Sequence, residues 1–497
     1  MQFTVLPVGT RNIPAEPGAY LVDDNWDDFK YKTLFWLHIV DKNGKHEIGT
    51  VRIAAYGMTE GTRTILPQTF EYLHEGYYSV GSDVSYYENL QSLNEISGAS
   101  IYRALRDVAY DRNILSKVRN QAAFKTSLLR DTQIRTVEEQ YYRISHGGTV
   151  NTPYEFRYIT PRNSFGQSSY LDFSMTPNSQ PPTNIHALIG SNGVGKTYIL
   201  SRLGRAVVDT TSAIDTLGAV TDFSNRASSP FANVVSLSFS AFDPSNLIRY
   251  STEIPFNHIG LYEPTLEKDS PRLRTNKKLG EVFQSSAYSF TGVTLNRWHE
   301  ALRTLQTDPI FAMVYNYATS VNHLADHDVT PSSVFEYLSS GHKAVLLSIT
   351  KLVELVTERT LVLIDEPETH LHPPLLSAFI RVVSDLLTNR NGVAVIATHS
   401  PVVLQETPKS CVQKIRRSGD VIAIERPEIE TFGENVGVLT REAFGLEVTR
   451  SGFHQLISDA VNEGLDFEEI MFKFRDQLGS EAMGIARALI AIRNRDR

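Results

Sequence analysis

The sequence predicts an α/β fold built around a mostly parallel central sheet. Three largely apolar stretches of strand length support this prediction, and each is followed by residues typical of a loop or a helix start: 185–189, 361–364 and 393–397. Strands that are apolar on both faces are typical of parallel sheets, which helices cover on both sides. Because ligands bind at the carboxyl ends of such strands, the polar residues after the three stretches are candidates for one site.

The first stretch leads into a glycine-rich loop that fits G-x-x-x-x-G-K-[ST], the phosphate loop of nucleoside triphosphatases. This phosphate loop comprises Gly190, Ser191, Asn192, Gly193, Val194, Gly195, Lys196 and Thr197. Its backbone N–H groups and the next helix N-terminus are expected to face the phosphates of ATP. Lys196 is expected to reach the terminal phosphates, and the Thr197 hydroxyl to ligate Mg²⁺. A glycine-rich turn that ends in Lys-Thr by chance is the alternative, and the flanking strand and helix patterns disfavour it.

The second stretch ends in two adjacent carboxylates, Asp365 and Glu366. Asp365, at the carboxyl end of the strand, is expected to hold Mg²⁺ directly or through water. Glu366 is placed to orient or deprotonate the attacking water. Solvated surface charge after a core strand is the alternative interpretation, and the phosphate loop upstream disfavours it.

The third stretch is followed by Thr398, His399, Ser400 and Pro401. Ser400 is a good helix N-cap and Pro401 suits the first helical position. His399 is therefore predicted at the carboxyl edge of the same sheet, where it could donate a hydrogen bond to the γ-phosphate. A single histidine after a strand is often incidental, but this position favours a functional role.

A fourth motif, the signature segment (338–342), precedes a helical pattern over 343–358. It comprises Leu338, Ser339, Ser340, Gly341 and His342, and it resembles the LSGGQ motif of ABC-type ATPases. Ser340 stands in place of the first glycine and His342 in place of the glutamine. A plain helix cap is the alternative. The position just before the Asp365–Glu366 strand is where ABC-type signatures lie, and it favours the resemblance.

The wider pattern also resembles a family. The runs 365–373 and 398–401, together with 431–435, are similar to ABC-type (AAA-like) ATPases of the OLD-like and Septu-like bacterial phage-defence groups. The resemblance is specific over about 184–200 and 333–435. It implies a P-loop NTPase fold of ABC type, in which two subunits sandwich ATP in head-to-tail pairs. The phosphate loop of one subunit would then face Ser339 to His342 of the other.

Two family features have no clear counterpart in the sequence. The loop after strand 234–239 should carry a glutamine that touches Mg²⁺, but the chain continues as 240–243 and offers only Asp243 as a weak candidate. No residue is a convincing adenine contact, and Tyr158 and Tyr170 are the only candidates we can name.

Composition is that of an ordinary globular protein. The chain has 497 residues, enough for two or three domains' worth of core, and a single cysteine, Cys411, which excludes an intrachain disulfide. It has no apolar run of membrane-spanning length and no secretory pattern at its start, so we expect a cytoplasmic protein without membrane contact. The net charge of −8 does not indicate a nucleic-acid coat. Three basic groups are candidate nucleic-acid contacts, with solvated faces as the alternative: 272–278, 414–417 and 493–497.

The order of patterns along the chain predicts an ATPase interrupted by insertions. Alternating residues at 33–40 and 47–54 flank a turn signal at 41–44, and 154–160 and 170–173 resemble further strands. We therefore expect an N-terminal antiparallel β-subdomain from 1–65 and 145–180. The remaining expected parts are a helical insertion (66–144), the ATPase core (181–430, with an arm at 201–330) and a C-terminal helical region (431–497). The segment 176–183, rich in Pro, Asn and Ser, is the expected linker into the phosphate loop.

Two classes of function fit these observations. The first is an ATP-hydrolysing sensor or switch subunit that controls a separate effector, a nuclease, as in Septu-like defence. The second is a self-contained DNA-processing or repair ATPase, or an OLD-like nuclease. The second class needs a nuclease domain after the ATPase, and fewer than a hundred residues follow His399, without an Asp-x-Asp pair. A transporter ATPase is a third interpretation, and the sequence of the segment 366–372 disfavours it. The first class is therefore favoured.

Overall fold

A computed structural model of the chain has a seven-stranded sheet at the centre of its fold. The structure describes residues 1–93, 98–130, 132–148, 151–209, 214–223, 230–238, 254–263, 272–290, 292–320, 330–388, 390–445 and 452–495. The elements are given below in chain order, from the N-terminus.

The N-terminal body (residues 3–145) is a six-stranded sheet covered by short helices. Its strands β1 to β6 are Phe3–Leu6, Gly18–Asp23, Leu34–Asp41, Gly44–Ala55, Thr69–Phe70 and Tyr77–Gly81, in the spatial order β5-β1-β2-β3-β4-β6. Its helices α1 to α5 are Val84–Ser92, Gly98–Ala104, Arg112–Val118, Ile134–Thr136 and Tyr142–Ser145, with π-helical turns at Phe124–Leu128 and Val137–Tyr141. Strands and helices share one hydrophobic core. The predicted hairpin at 41–44 is confirmed, since β3 and β4 pair antiparallel across it.

The grouping of these N-terminal elements differs from the predicted one. The segment 66–144 is not purely helical, because β5 and β6 lie in it and β6 pairs with β4. The sheet is mixed rather than antiparallel, because β1 and β2 run parallel. Segment 145–180 does not join this sheet. Its strands β7 (Tyr154–Ile159) and β8 (Tyr170–Met175) form a separate antiparallel sheet with Ala219–Asp222, which is β10.

The seven-stranded sheet has the spatial order β12-β11-β15-β16-β9-β17-β18. Its strands are β9 Ile185–Ile189, β11 Asn233–Ser238, β12 Phe256–Gly260, β15 Thr360–Asp365, β16 Val393–Thr398, β17 Val412–Ser418 and β18 Val421–Glu425. All neighbours are parallel except β17 and β18. Strands β9, β11, β15 and β16 are buried along their whole length, as predicted for a sheet covered on both faces. The two-residue strands β13 Tyr262–Glu263 and β14 Arg272–Leu273 pair only with each other.

Helices cover both faces of this central sheet. They are α6 Lys196–Val208, α7 Ile214–Leu217, α8 Asn276–Ser289, α9 Gly292–Thr304, α10 Pro309–Thr319, α11 Pro331–Tyr337, α12 Ser340–Leu355, α13 Pro373–Thr388, α14 Pro401–Gln405 and α15 Val436–Phe444. Short 3₁₀ turns lie at Leu305–Thr307, Pro367–His370 and Lys409–Cys411. Buried side chains of α8, α9, α12 and α13 form the core on one face. Those of α6 and of the sheet β10-β7-β8 form the core on the other.

The N-terminal body is fastened to the edge of the sheet at which β15 and β16 begin. Arg143 Nη2 lies 3.4 Å from Glu358 Oε1, just before β15. Arg390, just before β16, pairs with Asp83 at the N-cap of α1. Because the carboxylates and His399 follow the other ends of these strands, the N-terminal body and the predicted nucleotide site occupy opposite edges.

The C-terminal region consists of two parts. Residues 431–445 pack on the ATPase core, since the Gly433 N–H donates to Gln405 O at 2.9 Å and Leu439 is buried in the core. The helices Gly452–Asn462, Phe467–Lys473 and Ser480–Arg495 form a small cluster of their own. The predicted boundary at 430/431 therefore falls inside the ATPase unit. In the part of the chain described here, no helix is long and apolar enough to cross a membrane.

Candidate functional site

The phosphate loop joins β9 to α6 through three positions that favour glycine. A Cβ on Gly190 would lie 2.3 Å from Ile415 O, so a side chain there would clash with β17. Gly193 and Gly195 have φ values of 79° and 100°, in the left-handed region that most residues avoid. Helix α6 begins at Lys196 directly after the loop. The sequence-predicted strand–loop–helix arrangement is therefore present, with the exposed Asn192 at the loop tip.

Lys196 is buried at the base of the loop. Its Nζ donates to Gly190 O at 2.8 Å and to Ser191 O at 3.1 Å, and the residue is 5 % exposed. Burial lowers the pKa of this ammonium group. The nearby carboxylates of Glu366, Glu368 and Asp365 act in the opposite direction and raise it. The structure thus holds a desolvated cation in a loop whose backbone suits an anion.

Thr197 and Asp365 meet across the sheet edge. Thr197 Oγ1 donates to Asp365 Oδ1 at 3.0 Å. Asp365 is the last residue of β15 and is 8 % exposed. A hydroxyl and a carboxylate oxygen in contact are hard donors of the kind that Mg²⁺ binds together with substrate phosphates. The residues predicted as metal ligands therefore fit that ion.

Glu366 leaves the strand in an unusual backbone conformation. Its φ of 45° and ψ of 58° lie in the left-handed region, which costs free energy in a residue that is not glycine. Its backbone N–H donates to Ala397 O at 2.9 Å, and its side chain is 39 % exposed. The strained turn directs the carboxylate away from the strand. Glu366 Oε1 lies 3.5 Å from His399 Nδ1, so the two predicted catalytic side chains are brought together.

Glu368 is a site residue that sequence reasoning missed. Its Oε1 accepts hydrogen bonds from Thr398 Oγ1 at 2.7 Å and from the backbone N–H of His399 at 2.8 Å, and it lies 3.4 Å from His399 Nδ1. Only 10 % of its side chain is exposed. The carboxylate therefore holds the loop that carries His399. A second acidic residue two positions after Glu366 was the available signal.

The signature segment caps α12 and contacts the turn after Glu366. Ser339 is the N-cap, and its Oγ accepts the backbone N–H of His342 at 3.4 Å. Ser339 and Ser340 are exposed, whereas Gly341 is buried. A Cβ on Gly341 would lie 2.3 Å from His370 O, so only glycine allows this close approach. The signature segment is thereby packed against the 3₁₀ turn that follows Glu366.

Burial and position bear on the two tyrosines that the sequence suggested as adenine contacts. Tyr158 borders the cavity beside the phosphate loop, but it is fully buried and its hydroxyl donates to Leu217 O at 2.8 Å, so its ring faces are not open to a base. A cavity of about 310 Å³ lies beside Gly195 and is also lined by Arg162, Asn163, Tyr198 and Arg417. Tyr198 is 53 % exposed. Tyr170 does not line this cavity. The positions 240–243, with Asp243, lie outside the described residues.

Two of the basic candidates for nucleic-acid contact have structural roles. Lys414 is 4 % exposed and its Nζ lies 2.6 Å from Glu442 Oε1. Arg493 Nη1 donates to the carbonyl oxygens of Val461 and Leu465, at 2.7 and 3.0 Å. These side chains brace the fold, which weakens the case for basic surfaces at 414–417 and 493–497.

The sheet order and the motif positions define the class of protein. Strand β16 lies between β9 and β15, so the phosphate loop, Asp365, Glu366 and His399 follow three neighbouring parallel strands. This arrangement is that of a P-loop ATPase of ABC type. A family model described as "AAA domain, putative AbiEii toxin, Type IV TA system" matches residues 319–405, which include the signature segment and both acidic and histidine motifs.

Comparison with known proteins identifies the family. The chain is 36% identical to "Protein ea59" of Escherichia phage lambda over 542 aligned residues, covering 100% of this chain and 99% of that protein. The chain belongs to the ea59 family. It is also 28% identical to the Septu protein PtuA of Bacillus thuringiensis, over 27% of this chain and 38% of that protein.

Solved structures share part of the fold at low similarity. The SMC head domain from Thermotoga maritima is 13% identical with a TM-score of 0.29, over 56% of this chain and 99% of that chain. An ATP-binding cassette of an ABC transporter in its ADP conformation is 14% identical with a TM-score of 0.30, over 56% and 94%. At these scores the class assignment depends on the sheet order and the motif positions.

Proposed function

We propose that the protein binds ATP with Mg²⁺ and hydrolyses it in composite sites between two copies, and that this cycle switches a separate effector, a nuclease, in antiphage defence. One observation carries the ATPase part. A buried lysine in a glycine-rich loop, a Thr–Asp oxygen pair and a partly exposed glutamate beside a histidine meet at one edge of a parallel sheet. Each supplies a different requirement of phosphoryl transfer to water.

The roles follow from these positions. Lys196 and the loop N–H groups bind the phosphates, and Thr197 with Asp365 holds Mg²⁺. The ion supplies positive charge that offsets the charge of the transferred phosphoryl group. Glu366 accepts the proton of the attacking water. His399, held by Glu368, donates a hydrogen bond to the γ-phosphate.

We assign the adenosine to the cavity beside the loop. The cavity of about 310 Å³ adjoins Gly195 at the start of α6, where a nucleoside attached to bound phosphates would lie. Tyr198 offers an aromatic edge, and Asn163 offers an amide with both donor and acceptor groups. Tyr198 was not among the residues that the sequence suggested for contact with the adenine.

A second copy completes the site in this proposal. Ser339 and Ser340 are exposed at a helix N-terminus, which favours an anion. Tyr337, two residues before Ser339, is 92 % exposed, and tyrosine is enriched at protein interfaces. A head-to-tail pair would bring this surface onto the phosphate loop of the partner copy.

The effector and the setting rest on the relatives. The similarity to a Septu protein supports a role in defence, and the similarity to a protein of phage lambda means that one relative is encoded by a phage. We propose that a cell carrying such a gene is protected against a second phage. We further propose that the protein acts in the cytoplasm, where ATP is available, and that nucleic acid is a candidate trigger.

Phage plating tests this function. We expect the gene, expressed with its operon neighbours, to reduce plating of a sensitive phage, and Lys196→Ala to restore plating to the empty-vector level. Lys117→Ala, at an exposed lysine on α3 outside the three basic groups, is the matched control and should still protect. The complex purified from these cells should degrade nucleic acid only when the neighbouring protein is present. Unchanged protection by Lys196→Ala, or nuclease activity of this chain alone, would contradict the switch proposal.

A further inference from the structure

A chain of hydrogen bonds links the arm to the signature segment. Ser339 Oγ lies 2.6 Å from His342 Nδ1. On the other side of the same ring, His342 Nε2 lies 3.2 and 3.3 Å from the two carboxylate oxygens of Asp308. The ring therefore bridges a serine at the start of α12 and an aspartate at the start of α10.

Both ends of this chain are fixed by helix caps. Asp308 is the N-cap of α10 and accepts the backbone N–H groups of Ile310 and Phe311 at 2.8 and 3.3 Å. Burial raises the pKa of Asp308, but the hydrogen bonds from Ile310, His342 and Phe311 outweigh it, so the pKa lies below its ordinary value. The carboxylate is thus ionised and can only accept. Nε2 of His342 must then carry a proton.

The protonation state of His342 Nδ1 determines whether the Ser339 hydroxyl can donate a hydrogen bond to a ligand. A hydroxyl has one proton to donate and two lone pairs, and Ser339 Oγ already accepts the backbone N–H of His342. When the imidazole is neutral with its proton on Nε2, Nδ1 accepts a hydrogen bond from the Ser339 hydroxyl, whose only proton is then engaged. When the imidazole is protonated, Nδ1–H donates to Ser339 Oγ, and the hydroxyl proton is free to point outward.

We propose that His342, held by Asp308, is a positioning residue that sets Ser339 as a hydrogen-bond donor to the γ-phosphate of a partner copy. The inference deepens the composite site proposed above and rests on it. An arriving phosphate favours the protonated ring, both through its negative charge and because it needs a donor. Formation of each composite site therefore takes up one proton when the ring is neutral beforehand.

The same residue types occur in hydrolase triads, but the connectivity differs. In those triads the serine faces Nε2 and the carboxylate faces Nδ1. Here Ser339 faces Nδ1 and Asp308 faces Nε2, and Ser339 also caps a helix. The geometry therefore points to orientation of a hydroxyl rather than to a nucleophile.

The surroundings of the ring are compatible with charge. Asp308 is the acidic neighbour, His372 Nε2 lies 3.7 Å from its Oδ2, and Lys343 follows on α12. The Phe311 ring lies 5.5 Å from the imidazole on the α10 side. No trio of His, Cys, Asp or Glu within the described ranges, this group included, is arranged to hold a metal ion.

The pH profile of ATP-dependent pairing tests the inference. Sedimentation velocity would be measured on Glu366→Gln protein with saturating Mg²⁺-ATP, from about pH 5 to about pH 8, the range in which histidine side chains generally change charge. With two sites per pair, we expect the association constant to fall with rising pH by up to about a hundredfold per unit. In the double variant Glu366→Gln/His342→Gln, the glutamine supplies an amide donor that does not titrate. We therefore expect this double variant to pair at every pH tested, with an association constant that does not change with pH. Any titration of ATP itself affects both proteins alike.

Asp308→Asn is the second variant, because asparagine caps a helix as well as aspartate does. Loss of the negative charge destabilises the protonated ring, so pairing should decline at lower pH than in the parent, with an unchanged melting temperature. Identical profiles for the parent and His342→Gln would overturn the inference, as would identical profiles for the parent and Asp308→Asn. If the parent binds ATP but forms no pairs at any pH, the composite site itself fails, and with it the function proposed above.

Discussion

We expect the replacement of Lys196 by alanine to weaken binding of Mg²⁺-ATP by about a hundredfold or more. The lysine is a desolvated cation that contacts Gly190 O and Ser191 O, and it is 5 % exposed. A charge-assisted hydrogen bond at such a position contributes up to about 3 kcal/mol, and the phosphates lose more than one interaction. Isothermal titration calorimetry measures the effect directly.

The control for this prediction is Lys277→Ala, which removes an exposed lysine far from the loop in sequence. Its affinity should equal that of the parent. Both variants should melt cooperatively, so that loss of binding is not loss of folding. An unchanged affinity in Lys196→Ala would show that the phosphate loop is not where ATP binds.

Glu366→Gln is expected to leave ATP bound and to slow hydrolysis by a factor of about 100 or more, the usual contribution of a positioned general base. Glutamine has the shape of glutamate but cannot accept the proton. The variant should also accumulate ATP-bound pairs, because the step that ends the paired state is blocked. Single-turnover hydrolysis and sedimentation of the same sample measure the two effects.

His399→Ala is the companion to that experiment. His399 Nδ1 lies within 3.5 Å of both Glu366 Oε1 and Glu368 Oε1, so its loss should slow turnover while folding stays intact. Parental turnover in Glu366→Gln would exclude Glu366 as the base. Parental turnover in His399→Ala would reduce His399 to a structural role.

The parts of the site that local sequence determines were predictable. A phosphate loop needs its glycines, lysine and threonine in fixed order, and Asp365 and Glu366 must follow a buried strand. The structure brings Lys196, Thr197, Asp365, Glu366 and His399 to one sheet edge, in line with these patterns. The seven-stranded, mostly parallel sheet was predictable for the same reason, since buried strands are apolar throughout.

Contacts between distant segments were not predictable in this way. Strand β6 is five residues long and pairs with β4 from across a loop, so its Tyr-rich sequence alone did not separate strand from helix. Glu368 and Asp308 are ordinary acidic residues in the sequence. Their roles come from the segments that folding brings to them, 398–399 and 342.

The central claim is that each ATPase site is shared between two copies, and a mixing experiment tests it most directly. Ser340→Arg adds bulk and charge to the exposed signature surface without altering the phosphate loop, so it should bind ATP yet neither pair nor hydrolyse. Lys196→Ala should be inactive by itself for lack of ATP binding. In a mixed pair both lesions fall in one site and the other site is intact. Neither variant should pair with itself, so the pairs that form in an equal mixture are mixed and carry one intact site of two. The mixture should therefore recover up to about half of the parental ATPase rate. If the mixture stays inactive while one intact site is known to suffice, or if Ser340→Arg hydrolyses ATP normally as a monomer, the shared-site account is contradicted.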